Sequence, residues 1–330
     1  MANSARITSR GLVEPDLLSF IEATPPPVLT EQGLPALRAA YDARFRFEED
    51  PHAVRQVEVV RRTVPGRTGD PNVAIALHVP RKAGVSRGAI LHLHGGGYVN
   101  GNPYAFIPAH RKLAMELDCV IASVDYRLAP ETRFPGAVED GYAALAWLVG
   151  AADELGVDPS RIGVMGESAG GGLAAALALL ARDRREYALA FQHLVYPMID
   201  DRTCVAENPN PYAGEFVWTA ENNRFGWTCL LGSEPGGRDV SAYAAAARAT
   251  DLSGLPPTFI NVGALDLFVD EDVAYAQRLI RAGVPTELHI YPGAYHGFHF
   301  VADAGSTQRA SRDSRDALWR ALGGCSTTWR

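Results

Sequence analysis

The sequence predicts an α/β fold, a mostly parallel eight-stranded sheet covered by helices on both faces. Three observations point there. Short apolar runs alternate with helix-forming runs along most of the chain, the pattern of successive β–α–β units. The pentapeptide Gly166-Glu167-Ser168-Ala169-Gly170 stands between one such run, Arg161 to Met165, and the Ala/Leu-rich stretch Gly171 to Ala181. A glycine run, His94-Gly95-Gly96-Gly97, closes another, Ala89 to Leu93.

Taken in order, Gln56 to Val64 and Val73 to Val79 read as an opening pair of strands, expected to be antiparallel. Ala89 to Leu93, Val120 to Val124, Arg161 to Met165, Phe191 to Tyr196, Thr258 to Val262 and Glu287 to Tyr291 follow, short and rich in β-branched and aromatic residues. Helical runs at Pro108 to Leu117, Val138 to Val149 and Glu271 to Ala282 separate most of them. Two regions do not fit the sheet. Pro25-Pro26-Pro27 breaks the N-terminal region into short helices around Glu14 to Ile21 and Leu34 to Phe45. Between Tyr196 and Pro256 lies a long insertion holding Phe216, Val217, Trp218, Phe225, Trp227, Leu230 and Leu231. This aromatic cluster reads as the core of a helical cap, as the lining of a pocket, or as both. The expected organisation is an N-terminal cap segment over residues 1–50 and a catalytic domain over 51–330, with a cap insertion at about 201–240.

A chain of 330 residues is long enough for one large α/β domain with an insertion. The 47% hydrophobic and 21% charged content is that of an ordinary globular enzyme. A net charge of −7 and a pI near 5.7 provide no basic field for nucleic acid or for an anionic membrane surface. No apolar stretch approaches the roughly eighteen residues of a membrane span. Arg6, Arg10, Glu14 and Asp16 interrupt any signal-peptide pattern, and Cys119, Cys204, Cys229 and Cys325 are scattered without C-x-x-C spacing. Free thiols and a cytoplasmic location are the expectation.

The strand-to-helix placement of Gly166 to Gly170 makes this a nucleophile elbow, a turn tight enough to require small flanking residues and to lift Ser168 above the sheet. Attack on a carbonyl creates an oxyanion, and the glycine run leaves backbone N–H groups free to turn toward it. The donors are expected to be Gly96, Gly97 and Ala169. Asp266 follows the strand Thr258 to Gly263, and His296 follows the strand Glu287 to Tyr291. Serine, aspartate and histidine thus each stand just past the C-terminal end of a strand, where open α/β sheets bind ligands. Asp251 precedes its strand, and Asp270, Glu271 and Asp272 belong to the following helix, so they are weaker rivals. His289 lies inside a strand, and His299 is the competitor for His296.

Other residues weigh less. His92 and His94 point to one face of their strand as two metal ligands would, but no third ligand has suitable spacing, and no metal site is expected. Tyr98, just after the glycine run, is a candidate substrate contact or a packing residue, and Phe216 and Trp218 are candidate pocket residues. The run Arg182 to Glu186 reads as a solvated helix end.

From about Arg55 to Val301 the chain resembles the hormone-sensitive-lipase-like branch of bacterial carboxylesterases, of the α/β-hydrolase superfamily. The resemblance rests on His94 to Tyr98, Asp125-Tyr126-Arg127-Leu128-Ala129-Pro130-Glu131, Gly166 to Gly172, Asp266-Leu267-Phe268-Val269-Asp270-Glu271 and His296-Gly297-Phe298. Glu167 departs from the aspartate more familiar there, adding a methylene but keeping the carboxylate. The resemblance implies an α/β-hydrolase fold whose cap helices roof the site, a structural role for Asp125 to Glu131, and a sheet edge through which homologues dimerise. It also implies a serine carboxylesterase without cofactor. Its Ser168 attacks the ester, His296 moves the proton, Asp266 steadies the imidazole, and water hydrolyses the acyl-enzyme. Short- to medium-chain esters, roughly two to eight acyl carbons, are expected of a capped pocket. An amidase, deacetylase or lactonase would use the same residues, and plant relatives include dehydratases. The gibberellin receptors share these motifs but lack the histidine that stands here at 296.

Overall fold

The apolar runs assemble into one sheet of eight strands: β1 (Val57–Val64), β2 (Val73–Pro80), β3 (Arg87–Leu93), β4 (Val120–Asp125), β5 (Val157–Glu167), β6 (Gln192–Val195), β7 (Thr258–Gly263) and β8 (Thr286–Tyr291). The computed structural model describes residues 8–44, 48–82 and 86–324. The spatial order is β1-β2-β4-β3-β5-β6-β7-β8. As expected, β1 and β2 are antiparallel; β2 also runs antiparallel to β4, and every other pairing is parallel. β3 and β7 are buried at every position, which is why they read as unbroken apolar runs. At the sheet edge, β1 leaves Glu58, Arg61 and Arg62 exposed.

Ten α-helices occur among the described residues: α1 (Leu18–Ala23), α2 (Leu34–Arg44), α3 (Pro51–Gln56), α4 (Ile107–Leu117), α5 (Gly136–Gly150), α6 (Ala152–Leu155), α7 (Ala169–Arg184), α8 (Ala220–Leu231), α9 (Val269–Arg281) and α10 (Gly305–Ala321). Gln56 ends α3 rather than opening β1, because Pro51 at the first turn and the Asp50 side chain, accepting from His52 N–H at 2.8 Å, start a helix there. α10 is not evident in the sequence, since only Ala310, Ala317 and Leu318 give its buried face apolar bulk. α8 lies in the long insertion, opened by Thr219 as N-cap and closed by Gly232 in the left-handed region. Phe45 and Cys325 lie outside the described residues; Cys119, Cys204 and Cys229 are free thiols. No helix among the described residues is long and apolar enough to cross a membrane.

Side-chain alternation divides the interior into two layers. Leu91, Leu93, Val124 and Val164 pack with residues of α5, α7 and α9 on one face, while Ile90, Ile121 and Met165 pack with Ala114 of α4 and Leu318 of α10 on the other. The chain leaves β3 toward β4, then crosses back to place β5 on the opposite side of β3. The loops after β3 and β5 therefore diverge, opening the crevice in which α/β sheets bind ligands.

The base of the insertion is fixed by Asp201. Fully buried, it accepts from Arg248 Nε and Nη2, both at 2.7 Å, and from Gly236 N–H at 2.6 Å. Removing the carboxylate leaves the largely buried Arg248 guanidinium, 12% exposed, without its counter-charge. Asp201→Ala should therefore lower unfolding free energy by about 3 kcal/mol. Glu234→Ala, which breaks the exposed pair with Arg224, should change it by less than about 0.5 kcal/mol. Urea denaturation of both variants checks the contrast.

Candidate active site

Ser168 joins β5 to α7 at φ +56° and ψ −121°, a conformation costly for any residue with a side chain. Its backbone is tied on both sides. The N–H donates to Val195 O at 2.9 Å, and the carbonyl accepts from Met198 N–H at 2.9 Å and Gly172 N–H at 3.0 Å. The turn requires the small residues seen in the sequence: a Cβ on Gly170 would stand 2.0 Å from Leu93 O.

Ser168 Oγ lies 2.9 Å from His296 Nε2, and His296 Nδ1 lies 2.8 Å from Asp266 Oδ2. The other carboxylate oxygen, Oδ1, accepts from Phe268 N–H at 3.0 Å, so the orientation of Asp266 is set by the loop that follows β7. All three residues are buried, Asp266 completely. Tyr196 and Phe268 pack edge-on against the His296 ring at 4.7 and 5.1 Å between centroids, which fixes its plane. Beside this chain, Gly97 takes φ +62°, and a Cβ there would meet the Trp218 ring at 2.2 Å. Among the described residues no backbone carbonyl accepts the N–H of Gly96, Gly97 or Ala169.

The rivals fall away for different reasons. Asp251 and Asp270 are exposed. Glu271 is used up by Ile199 N–H, Asp200 N–H and the Thr203 hydroxyl. Asp272 is buried with no hydrogen-bond partner, and burial pushes its carboxyl well above the usual range. His299 packs behind Phe298 and Tyr196, and burial pushes it down to about 4.

A cavity of about 230 Å³ opens over Ser168. Gly95, Gly96, Gly97 and His296 form its floor; Leu37 and Tyr41 of α2 and Val217 and Trp218 of the insertion form much of its wall. Trp218 thus takes the pocket-lining place, one of the alternatives the sequence left open. Tyr98 and Phe216 do not. Tyr98 is buried below the glycine run, its hydroxyl donating to Met198 O at 3.0 Å and its ring packed on Trp227, so it braces the loop and lies off the cavity wall. Phe216 turns away to pack on Tyr295 at 5.9 Å, and its neighbour Val217, at φ +62°, takes the wall position. Glu167 of the elbow also lines the cavity, as do Tyr41 and Phe300, which carry no sequence signal beyond an apolar or helical position. The Asp125–Glu131 segment braces the same loops. Tyr126 Oη donates to His94 O at 2.7 Å, and Ala129 N–H donates to Tyr98 O at 3.0 Å.

His92 and His94 do not act as a pair. His94 stacks on Tyr126, with Nδ1 2.9 Å from Gly95 O, and burial pushes it down to about 3. His92 instead meets Ser123, Glu167 and His110, donors that sequence spacing could not bring together.

Comparison with known proteins places this geometry in context. The profile of a family described as alpha/beta hydrolase fold matches residues 90–300. Carboxylesterase NlhH of Mycobacterium tuberculosis is 33% identical over 94% of this chain and 96% of its own length. Esterase LipI of the same organism is 31% identical over 93% of each chain. Among solved structures, a bacterial heroin esterase superposes with a TM-score of 0.87 at 39% identity, over 95% of this chain and 99% of the other.

The hydrogen-bonded chain from Ser168 to Asp266 makes the three residues a unit. Ser168→Ala and His296→Ala should each lower kcat by about 10⁴-fold, and the double variant should be little worse than either. His299→Gln should retain activity within about tenfold, because the ring it replaces is neutral at neutral pH and off the chain. Steady-state kinetics of these variants beside the wild type checks this contrast.

Proposed function

This chain belongs to the alpha/beta hydrolase fold family and is a carboxylic ester hydrolase, and we propose that it hydrolyses short- to medium-chain esters through an acyl-enzyme on Ser168. The observation that carries this reading is the run of hydrogen bonds from Ser168 through His296 to buried Asp266, placed at the floor of a cavity. Ester binds with its carbonyl oxygen toward the N–H groups of Gly96, Gly97 and Ala169. As Ser168 Oγ attacks, His296 Nε2 takes its proton, and Asp266 stabilises the imidazolium without being protonated. The N–H donors hold the oxyanion in a site with little water, where they are worth most. Collapse returns the proton from His296 to the leaving alkoxide and releases the alcohol. Water then repeats the cycle on the acyl-enzyme and frees the acid.

Residues 1–50 and about 201–240 are proposed as the cap. Supporting this, α2 and the segment before α8 supply cavity wall, and Arg38 of α2 donates to Val99 O and Ala129 O, both at 2.8 Å, and to Glu131. A cytoplasmic location fits free thiols, and a homodimer through the exposed edge of β8, where Ile290 is exposed, fits the sheet. Sedimentation would separate monomer from dimer.

Cavity size argues for the acyl range. Each buried methylene contributes about 0.8 kcal/mol, so kcat/KM should rise up to about fourfold per added carbon until the cavity fills, then fall. A p-nitrophenyl ester series should therefore peak between about two and eight acyl carbons. Trp218→Ala should move the peak to longer chains. A rate still climbing at palmitate, or jumping with emulsified triglyceride, would make the enzyme a lipase instead. Matched amide and lactone substrates, turned over at far lower kcat/KM, would exclude the alternative activities of the same triad.

A further inference from the structure

Apart from the triad, one cluster of donors lies beside the elbow. His92 on β3, His110 on α4 and Glu167 at the end of β5 each bring one ligand atom within 4.8 Å of the other two. His92 is fully buried, with Nε2 2.8 Å from Glu167 Oε2 and Nδ1 2.5 Å from Ser123 Oγ. The His110 ring lies 4.1 Å from that of His92, and its Nδ1 is buried without any hydrogen-bond partner. His78 packs edge-on against His110 at 5.5 Å. None of these groups has a part in ester hydrolysis as derived above.

We propose that His92, His110 and Glu167 form a binding site for a first-row divalent cation, best suited to Zn²⁺, whose occupancy slows turnover through Glu167. Two imidazole nitrogens and one carboxylate oxygen are the donor set that Zn²⁺ takes in three-ligand sites, and they suit Mg²⁺ or Ca²⁺ poorly. Ligand bonds of about 2.0–2.2 Å need donors roughly 3.4 Å apart, a spacing between the 2.8 Å of the His92–Glu167 contact and the 4.8 Å limit of the cluster. Small side-chain rotations reach it. A neutral His110 offers one bare ring nitrogen, and Nδ1, buried with no hydrogen-bond partner, is placed to be it. The Ser123 hydroxyl can donate to His92 Nδ1 or accept from it. Without an ion, Nε2–H donates to Glu167 and the hydroxyl donates to Nδ1; with an ion on a bare Nε2, the hydroxyl accepts from Nδ1–H instead. Phe106 packs against both His92 and His110 and also lines the catalytic cavity, as does Glu167, which gives an ion a path inward.

The effect on turnover follows from covalent connection and rests on the assignment of Ser168 as nucleophile. Glu167 is the residue before Ser168, so an ion that draws its carboxylate toward His110 moves the backbone of the strained turn. Displacements of about 1 Å at reacting atoms cost up to about 10²-fold in rate. The ion is inhibitory and not required, so chelators leave activity unchanged or raise it.

The test is titration of the full chain with Co²⁺, whose visible absorption reports coordination, followed by displacement with Zn²⁺. One Co²⁺ per chain is expected, Zn²⁺ should displace it, and saturating Zn²⁺ should lower kcat at least about fivefold. His110→Phe and His110→Gln, checked for folding by thermal melts, should hydrolyse ester, lose at least about tenfold in Co²⁺ affinity and escape Zn²⁺ inhibition. Glu167→Gln should lose affinity as well. Ser168→Ala should keep the Co²⁺ spectrum, so that failure of the nucleophile assignment and failure of the metal site are read separately. Absence of bound Co²⁺ in the wild type would overturn the site. So would a spectrum that survives both His110 substitutions, or one that disappears in Ser168→Ala, which would place the ion on the triad. Binding without any fall in kcat would overturn the coupling to turnover.

Discussion

The strained backbone of Ser168 is the constraint on which the rest of the site depends. A φ of +56° for a residue with a side chain costs on the order of 1–3 kcal/mol and persists only where the surroundings over-determine it. Here three backbone hydrogen bonds do so, to Val195, Met198 and Gly172. They tie the turn to β6, to the loop after β6 and to the first turn of α7 at once. The helix that follows must approach β3 closely, which is why Gly170 sits against Leu93 O and why 13 of the 16 positions of α7 are buried.

Once that turn is fixed, sheet topology brings the other groups to it. The reversal between β3 and β5 opens a crevice in which the glycine loop after one strand faces Ser168 at the end of the next. β7 and β8, further along the same parallel array, end at the same level and deliver Asp266 and His296. Parallel strands share their direction, so four loops separated by up to 200 residues meet at one edge of the sheet.

The interior is rich in histidine, and its members differ by their partners. Burial pushes His78, His94, His193 and His299 down to about 3 or 4, leaving them neutral packing groups. His296 differs in having a buried carboxylate on Nδ1 and a serine hydroxyl on Nε2. His92 has a carboxylate and a serine too, in Glu167 and Ser123, but its serine is fully buried within β4, whereas Ser168 lines the cavity.

The sequence by itself determined the sheet, the elbow and the order serine, aspartate, histidine. Those features depend on local rules: apolar periodicity, the small residues of a tight turn, and loops that follow strands. It marked Trp218 as a candidate for the cavity wall or the cap core without deciding between them. It could not place Tyr98 or Phe216, because whether a ring faces a cavity or the core turns on one backbone angle at Tyr98 and at Val217. α10 was hidden because its apolar positions are too sparse to show a period. Only the tertiary structure could set His110 against His92 and Glu167, since helix α4, strand β3 and the elbow meet through packing across the sheet. Contacts of that kind leave no mark on the spacing of residues along the chain.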